Sequence, residues 1–417
     1  VSAAAPGRRY PGLPADAARA KAHAHRAQTP EDAYARFAPL ARRMGVTRVG
    51  ALTGLDTLGV PVCFAARPNS RSIAVHQGKG LTLAGARISA LMEAAETWHA
   101  EDVLAPVRLA RAADLRAAGL ACAWRGLPLA RAFDDHQPIP WVAARDVATG
   151  GEVLVPLEAV SSDYTAEAEQ RFGGYFEATT NGLASGSTVA EALAHGLCEV
   201  IERDAVALWR LREGHREPAL DLDRIQDPGC RWLLERFASA GVRVRLWDAT
   251  SDAGVPTYLA LAVDAGETAT DPEVGSACHP SPVAAMVKAL AEAAQARTTW
   301  IAGARDDFEP ALYQASARSR RRRDSTRWLD GPADAPPEAR PDLSTDSVLG
   351  DLEAILDRLA AVGIEQVLYV DLTRPDIGIP VVRTLVPGLE SPLTGEDPAK
   401  AGGARAAQAG SGRGGRP

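Results

Sequence analysis

The sequence predicts an α/β (α+β) fold, mixed sheets carrying helices, and three observations predict it. Short β-like runs alternate with long alanine-rich helical stretches. The 417 residues are 46% hydrophobic and 24% charged, enough to bury a sizeable core. Three helical segments share one acidic pattern at matched spacing. Together these exclude a disulfide-stapled miniprotein, a collagen-like chain and a wholly disordered one. At ~100–200 residues per domain the length corresponds to two to four units, or to one large enzyme domain with an extension.

Taken in order, the first fifteen residues, with Pro6, Pro11 and Pro14, read as an irregular lead. Thr29-Pro30-Glu31-Asp32 supplies an N-cap, a proline at the first helical position and acids in the first turn, predicting a helix to about residue 43. Residues 1–45 are thus an N-terminal extension with one helix, and 46–392 the main domain. Strands are expected at 47–52, 60–65, 139–144, 153–156, 242–247, 257–263, 366–372 and 380–386. Residues 315–345 read as a flexible linker opening near the arginine-rich run 318–323. That run is a solvated loop or, alternatively, a contact for phosphate or a peptide leader. Residues 393–417, rich in Gly, Ala, Arg and Ser, read as a disordered tail.

With 46 Lys+Arg against 53 Asp+Glu, the net charge of −7 argues against a nucleic-acid or acidic-membrane binder. The five cysteines are scattered without a CxxC pair, as in a reducing compartment, and suggest no zinc site. No run of ~18 apolar residues is present. A soluble, cytoplasmic protein is expected.

The three acidic segments, 80–96, 186–202 and 279–295, superpose without gaps when Glu93, Glu199 and Glu292 are aligned. Eleven residues earlier stands a candidate N-cap, Thr82, Thr188 or Ser281. Seven earlier stands alanine each time, and three earlier a small residue: Ala90, Gly196 or Ala289. Three later comes a second carboxylate or its amide: Glu96, Glu202 or Gln295. Positions i and i+3 share a helix face, so each helix displays two oxygen-bearing side chains together. Their neighbours are largely apolar, and burying ionised carboxylates calls for counter-charge. Solvent-exposed faces paired with arginine are the plain alternative, which the threefold match disfavours. Converging carboxylates suit Mg²⁺, which bridges to phosphates, better than Ca²⁺ or Zn²⁺. A nucleotide triphosphate would complete such a site. The glycine-bearing approaches Gln77-Gly78-Lys79-Gly80 and Asn181-Gly182 lead into helix N-termini, where backbone N–H groups can contact phosphate.

Gly78-Lys79-Gly80 with Ser89-x-x-x-Glu93-x-x-Glu96, Asn181-Gly182 with Glu191 and Glu199-x-x-Glu202-Arg203, and His279-Pro280 with Glu292-x-x-Gln295-x-Arg297 together resemble the YcaO family. Val370-Asp371-Leu372-Thr373 and Gly378-Ile379-Pro380-Val381-Val382-Arg383 resemble its C-terminal strand pair. The motifs span about residues 70–390, and the main domain would be the YcaO-like catalytic domain. The resemblance implies an ATP- and Mg²⁺-dependent enzyme that activates a peptide backbone amide by phosphorylating its oxygen. Glu93, Glu96, Glu199 and Glu202 would hold Mg²⁺. Lys79, Ser89, Glu96, Asn181, Glu191, Arg203, Glu292, Gln295, Arg297 and Arg305 would surround the nucleotide; a helix C-terminal cap is the alternative for Arg305. An internal Cys, Ser or Thr nucleophile would give an azoline, an external sulfide donor a thioamide. Thr97 stands where many relatives carry arginine, and a Pro-rich carboxyl end is absent. These features are similar to stand-alone members found beside TfuA proteins, implying a thioamide product, a precursor peptide or protein substrate, a TfuA-like partner and a homodimer. Azoline-forming cyclodehydration and a non-catalytic role assisting ribosomal-protein methylthiolation are the alternatives. Cys198 reads as a packed core thiol, with a sulfur carrier the alternative; the histidines near the repeats read as structural, His279 as a candidate helix cap; Trp98 and Trp209 read as core plugs, with adenine stacking the alternative.

Overall fold

A computed structural model of the chain describes residues 9–22, 25–264, 271–308, 310–314, 323, 325–391 and 405–406. Its named strands form three sheets, and each pairing between them is antiparallel, which makes the fold α+β. One sheet is the meander β1 (Arg48–Ala51), β2 (Val62–Ala66) and β3 (Val75–Lys79). The largest has the order β4 (Arg108–Arg111), β5 (Pro138–Asp146), β11 (Leu368–Asp371), β12 (Val381–Leu385) and β7 (Leu183–Ser185), with β6 (Glu152–Pro156) also on β5. The third is β8 (Val242–Asp248), β9 (Thr257–Asp264) and β10 (Glu273–Cys278).

The eight expected strands correspond to β1, β2, β5, β6, β8, β9, β11 and β12. Four more, β3, β4, β7 and β10, were not expected from the sequence. Their residues, VHQGK, RLAR, LAS and EVGSAC, are short, polar or small and show no β-branched alternation.

The first helix, α1 (Pro30–Phe37), opens as expected, with the Thr29 hydroxyl accepting from the Asp32 N–H. It stops before residue 43, continuing as 3-10 turns over Ala38–Met44, because Pro39 has no N–H to extend the α ladder. The long helices are α2 (Leu83–Glu101), α5 (Val189–Leu211) and α7 (Pro282–Ala302). Shorter ones are α3 (Ala112–Ala117), α4 (Ala166–Phe172), α6 (Pro228–Ser239) and α8 (Val348–Ala361). One core lies between α2 and the two sheets beside it, and another between α6, α7 and the third sheet. Among the described residues no helix is long and apolar enough to cross a membrane.

Segments near both ends of the described residues pack on α5. Asp16 accepts from the Val189 and Ala190 N–H groups and so caps α5 from outside it. At the other end Arg405 reaches the buried Asp204. The rest of the expected tail, and all of the run 318–323 except Arg323, lie outside the described residues. Within the expected linker, Ala335 bridges to Leu220 and Arg340 pairs with Asp248, so this stretch is laid along the third sheet's flank.

Candidate functional site

Each acidic helix follows a strand of its own: β3 runs into α2, β7 into α5 and β10 into α7. Thr82 and Thr188 cap as expected, accepting from the Gly85 and Glu191 N–H groups. Ser281 stands at the N-cap of α7, but its side chain makes no cap bond; its N–H donates to His279 Nδ1 at 3.0 Å.

The recurrent small residues have a packing cause. A Cβ added to Gly78 of β3 would lie 2.0 Å from the Ala90 nitrogen, and one on Gly275 of β10 only 2.3 Å from backbone atoms of Ala289 and Ala293. In the middle unit the glycine is on the helix: a Cβ on Gly196 would meet the Gly182 oxygen at 2.8 Å. Strand and helix backbones therefore touch in the first and third units, and in the middle one the helix meets the residue just before β7 and the Thr384 side chain.

The strand of one unit then holds the glutamate of the one before it. Ser185, in β7, donates its N–H and its hydroxyl to Glu96 of α2 at 2.9 and 2.7 Å. Ser276, in β10, donates to Glu202 of α5 at 2.6 Å. Lys79, at the end of β3, pairs with Glu292 of α7 at 2.9 Å. The three units thus close in a ring.

Inside the ring is a cavity of about 720 Å³, lined by Lys79, Ser89, Glu93, Glu96, Glu191, Glu199, Glu202, Arg203, Glu292, Gln295 and Arg305. Thr97, the departure from the usual arginine, also lines it and accepts from Arg67 at 2.9 Å. Two expected residues do not line it. Arg297, two residues past Gln295 and so about 200° round the helix, is locked in ion pairs with Asp56 and Asp264. Asn181 lies beside the cavity residues Thr180 and Leu183, with its buried Oδ1 lacking a partner among the described residues. Glu191 is at the wall with both oxygens engaged, accepting from the Ala27 and Ser187 N–H groups. Arg305 pairs with Asp307 instead of capping α7, whose end is closed by Gly303 at φ 55°.

The electrostatics follow from walling carboxylates off from bulk water. Burial raises Glu93 to about 7 and Glu96 to about 8, and it raises Glu199 and Glu202 as well. Glu292 is the exception: burial pushes it up, but Lys79 and Arg203 outweigh that and hold it low. Burial likewise works against the Lys79 ammonium and is outweighed by Glu292, leaving its pKa raised. Arg203 is raised chiefly by the Glu202 charge.

The four glutamates expected to hold Mg²⁺ share this cavity, but they are not a preassembled cage. Among the described residues no three His, Cys, Asp or Glu side chains converge as a metal-binding group. An all-protein cage is what Ca²⁺ would need; Mg²⁺ keeps water and phosphate ligands and takes only one or two carboxylates. Carboxylates raised by burial are a fitting donor set, because a cation relieves their cost.

Sequence reasoning passed over several wall residues, among them Arg26, Gln28, Ser185, Ser276 and Lys288. Lys288 lies inside the aligned segment 279–295 and could have been found by comparing the offset it shares with Ser89, four residues before the aligned glutamate. Arg26 carries no such signal, since it reaches the wall only through the folding back of the N-terminal segment.

A family model described as YcaO cyclodehydratase, ATP- and Mg²⁺-binding, matches residues 77–390. An uncharacterized protein in the tfuA 3' region of Rhizobium leguminosarum bv. trifolii is 38% identical over 383 residues, covering 89% of this chain and 90% of the relative. A protein of Methanothermobacter thermautotrophicus is 38% identical over 373 residues, covering 87% and 94%. Among solved structures, YcaO from Methanopyrus kandleri bound with AMPPCP and Mg²⁺ superposes with a TM-score of 0.69 at 25% identity, covering 89% of this chain and 96% of that one. A heterocyclase in complex with substrate and cofactor gives a TM-score of 0.74 at 23% identity over 90% of this chain; the chain spans 54% of that protein's length.

Proposed function

The chain belongs to the YcaO family, and we propose that it uses ATP and Mg²⁺ to activate a backbone amide of a ribosomally made peptide or protein, giving a thioamide. The observation that carries the reading is the ring of three strand–helix units, which gathers Glu93, Glu96, Glu199, Glu202 and Glu292 with Lys79 and Arg203 round one cavity. An amide oxygen is a poor leaving group and phosphate a good one; bound ATP supplies the phosphoryl group, and Mg²⁺ the charge to offset its oxygens.

The chain's own residues would supply position and polarity. Lys79 and Arg203 are the wall cations paired with its glutamates, and each is kept charged by that neighbour. Ser185 and Ser276 orient Glu96 and Glu202 through hydrogen bonds, so these carboxylates need little reorganisation to receive a cation. Overall an amide, hydrosulfide and ATP would give a thioamide, ADP and phosphate. The relative in the tfuA 3' region supports the thioamide product and a TfuA-like partner over the azoline alternative.

The test is purified protein with candidate peptide, ATP, Mg²⁺, a TfuA-like protein and sulfide, read by mass spectrometry. Replacement of one oxygen by sulfur is expected. Loss of one water would make the protein a cyclodehydratase, and an unchanged peptide despite bound nucleotide would favour the accessory role.

A further inference from the structure

Two of the five free cysteines, Cys198 of α5 and Cys278 of β10, line the cavity. The bond from Ser276 to Glu202 fixes how their elements meet. Cys278 stands two residues past Ser276, on the same face of the strand and about 6.6 Å along it. Cys198 stands four residues before Glu202, on the same face of the helix and about 6 Å back. The two steps match in length, so the sulfurs are brought together, and the Cys278 thiol donates a hydrogen bond to Cys198.

The other three cysteines are placed differently. Cys63 and Cys230 are buried in two separate cores, Cys122 is half-buried against the first of these, and none of the three lines the cavity. The adjacent thiols therefore stand at the one place where sulfur could be used: Glu199, one of the cavity carboxylates, directly follows Cys198. Adjacent thiols can do what a single one cannot. One accepts a sulfur atom, and the other displaces it by forming a disulfide with the first.

We propose that Cys198 and Cys278 form a sulfur relay, in which Cys198 takes the terminal sulfur of a small persulfide and Cys278 releases it as sulfide inside the cavity. The inference rests on the thioamide product proposed above for the use of that sulfur. In the first step the Cys198 sulfur attacks the terminal sulfur of the donor R–S–SH. The donor's S–S bond breaks, a new one joins Cys198 to the transferred sulfur, and R–SH leaves with the Cys198 proton. In the second step Cys278 attacks the Cys198 sulfur. A disulfide joins the two residues, and the outer sulfur departs with the electron pair of its bond and the Cys278 proton, as hydrogen sulfide. The transferred sulfur is thus reduced by two electrons and the dithiol oxidised by two; two molecules of a small thiol restore the dithiol and leave as their own disulfide.

The experiment treats reduced wild type, Cys198→Ala and Cys278→Ala with glutathione persulfide, then alkylates, digests and reads the cysteine peptides by mass spectrometry, with released sulfide assayed in parallel. Wild type should link the Cys198 and Cys278 peptides by a disulfide and release an equimolar amount of sulfide. Cys278→Ala should keep one added sulfur atom on Cys198, and Cys198→Ala should yield neither the disulfide nor sulfide. Wild type that gains no disulfide and releases no sulfide overturns the proposal. So does a Cys278→Ala protein whose Cys198 gains no sulfur, which would leave the pair as thiols that merely oxidise. Because wild type is itself read, a variant that fails to fold leaves the test standing. Neither step involves ATP or an amide, so an unmodified peptide in the assay above would count against the thioamide reading and not against the relay.

Discussion

Lys79 and Glu292 form the ion pair that sets the polarity of the site. Their side chains keep 26% and 30% of their area open, and at 2.9 Å each keeps the other charged. Glu93 and Glu96, where burial prevails, are pushed to about 7 and about 8. Their proton uptake gives the apoprotein a pH signature. From the usual 4.5 up to those values, the folded state holds protons that the unfolded chain has released, so stability falls as pH rises through that window. The buried His76 and His99, lowered to about 3 and about 4, work in the opposite direction only below their usual 6.5. Without nucleotide the melting temperature should therefore fall between about pH 6.5 and 8, and Mg²⁺ with a non-hydrolysable ATP analogue should flatten the decline. A melting temperature that stays level over this window would mean that the carboxylates are ionised in the folded state.

The strand–helix unit is built on contact between backbones. Gly78 and Gly275 lie where a Cβ would fall 2.0 and 2.3 Å from helix atoms, and no flexible side chain is there to yield. Gly78→Ala or Gly275→Ala should each cost about 3 kcal/mol in denaturant unfolding, by overpacking, and should weaken nucleotide binding by displacing Glu93 or Glu292. Full stability in both would mean that the helices are free to retreat. The same contact explains what was illegible. The glycines that admit α2 and α7 dilute the β-branched alternation by which a strand is recognised, so β3 reads as an approach to a helix and β10 goes unmarked. The helices themselves were legible because caps, small residues and carboxylates recur at short, fixed offsets.

Segments near both ends of the described residues are fastened to the helix that carries Glu199 and Glu202. Asp204, fully buried on α5, is held by two nitrogens of Arg405 at 2.9 and 3.1 Å and by the Glu390 N–H at 3.0 Å. Arg405→Ala should cost about 3 kcal/mol by leaving that carboxylate without its cation, and Asp204→Asn in the same background should recover part of it. Equal stability of wild type and Arg405→Ala in chemical denaturation would show that the strap carries no weight. The acidic repeat, its helical register, eight of the strands and eleven of the residues that line the cavity were legible in the sequence, because each of these is written in spacings of a few residues. Only the tertiary structure decided that Lys79 answers Glu292 across 213 positions, that Arg297 turns to Asp56 and Asp264, and that Arg26 closes the cavity. Those pairings depend on which backbones come into contact, and no local pattern encodes the partner at the far end.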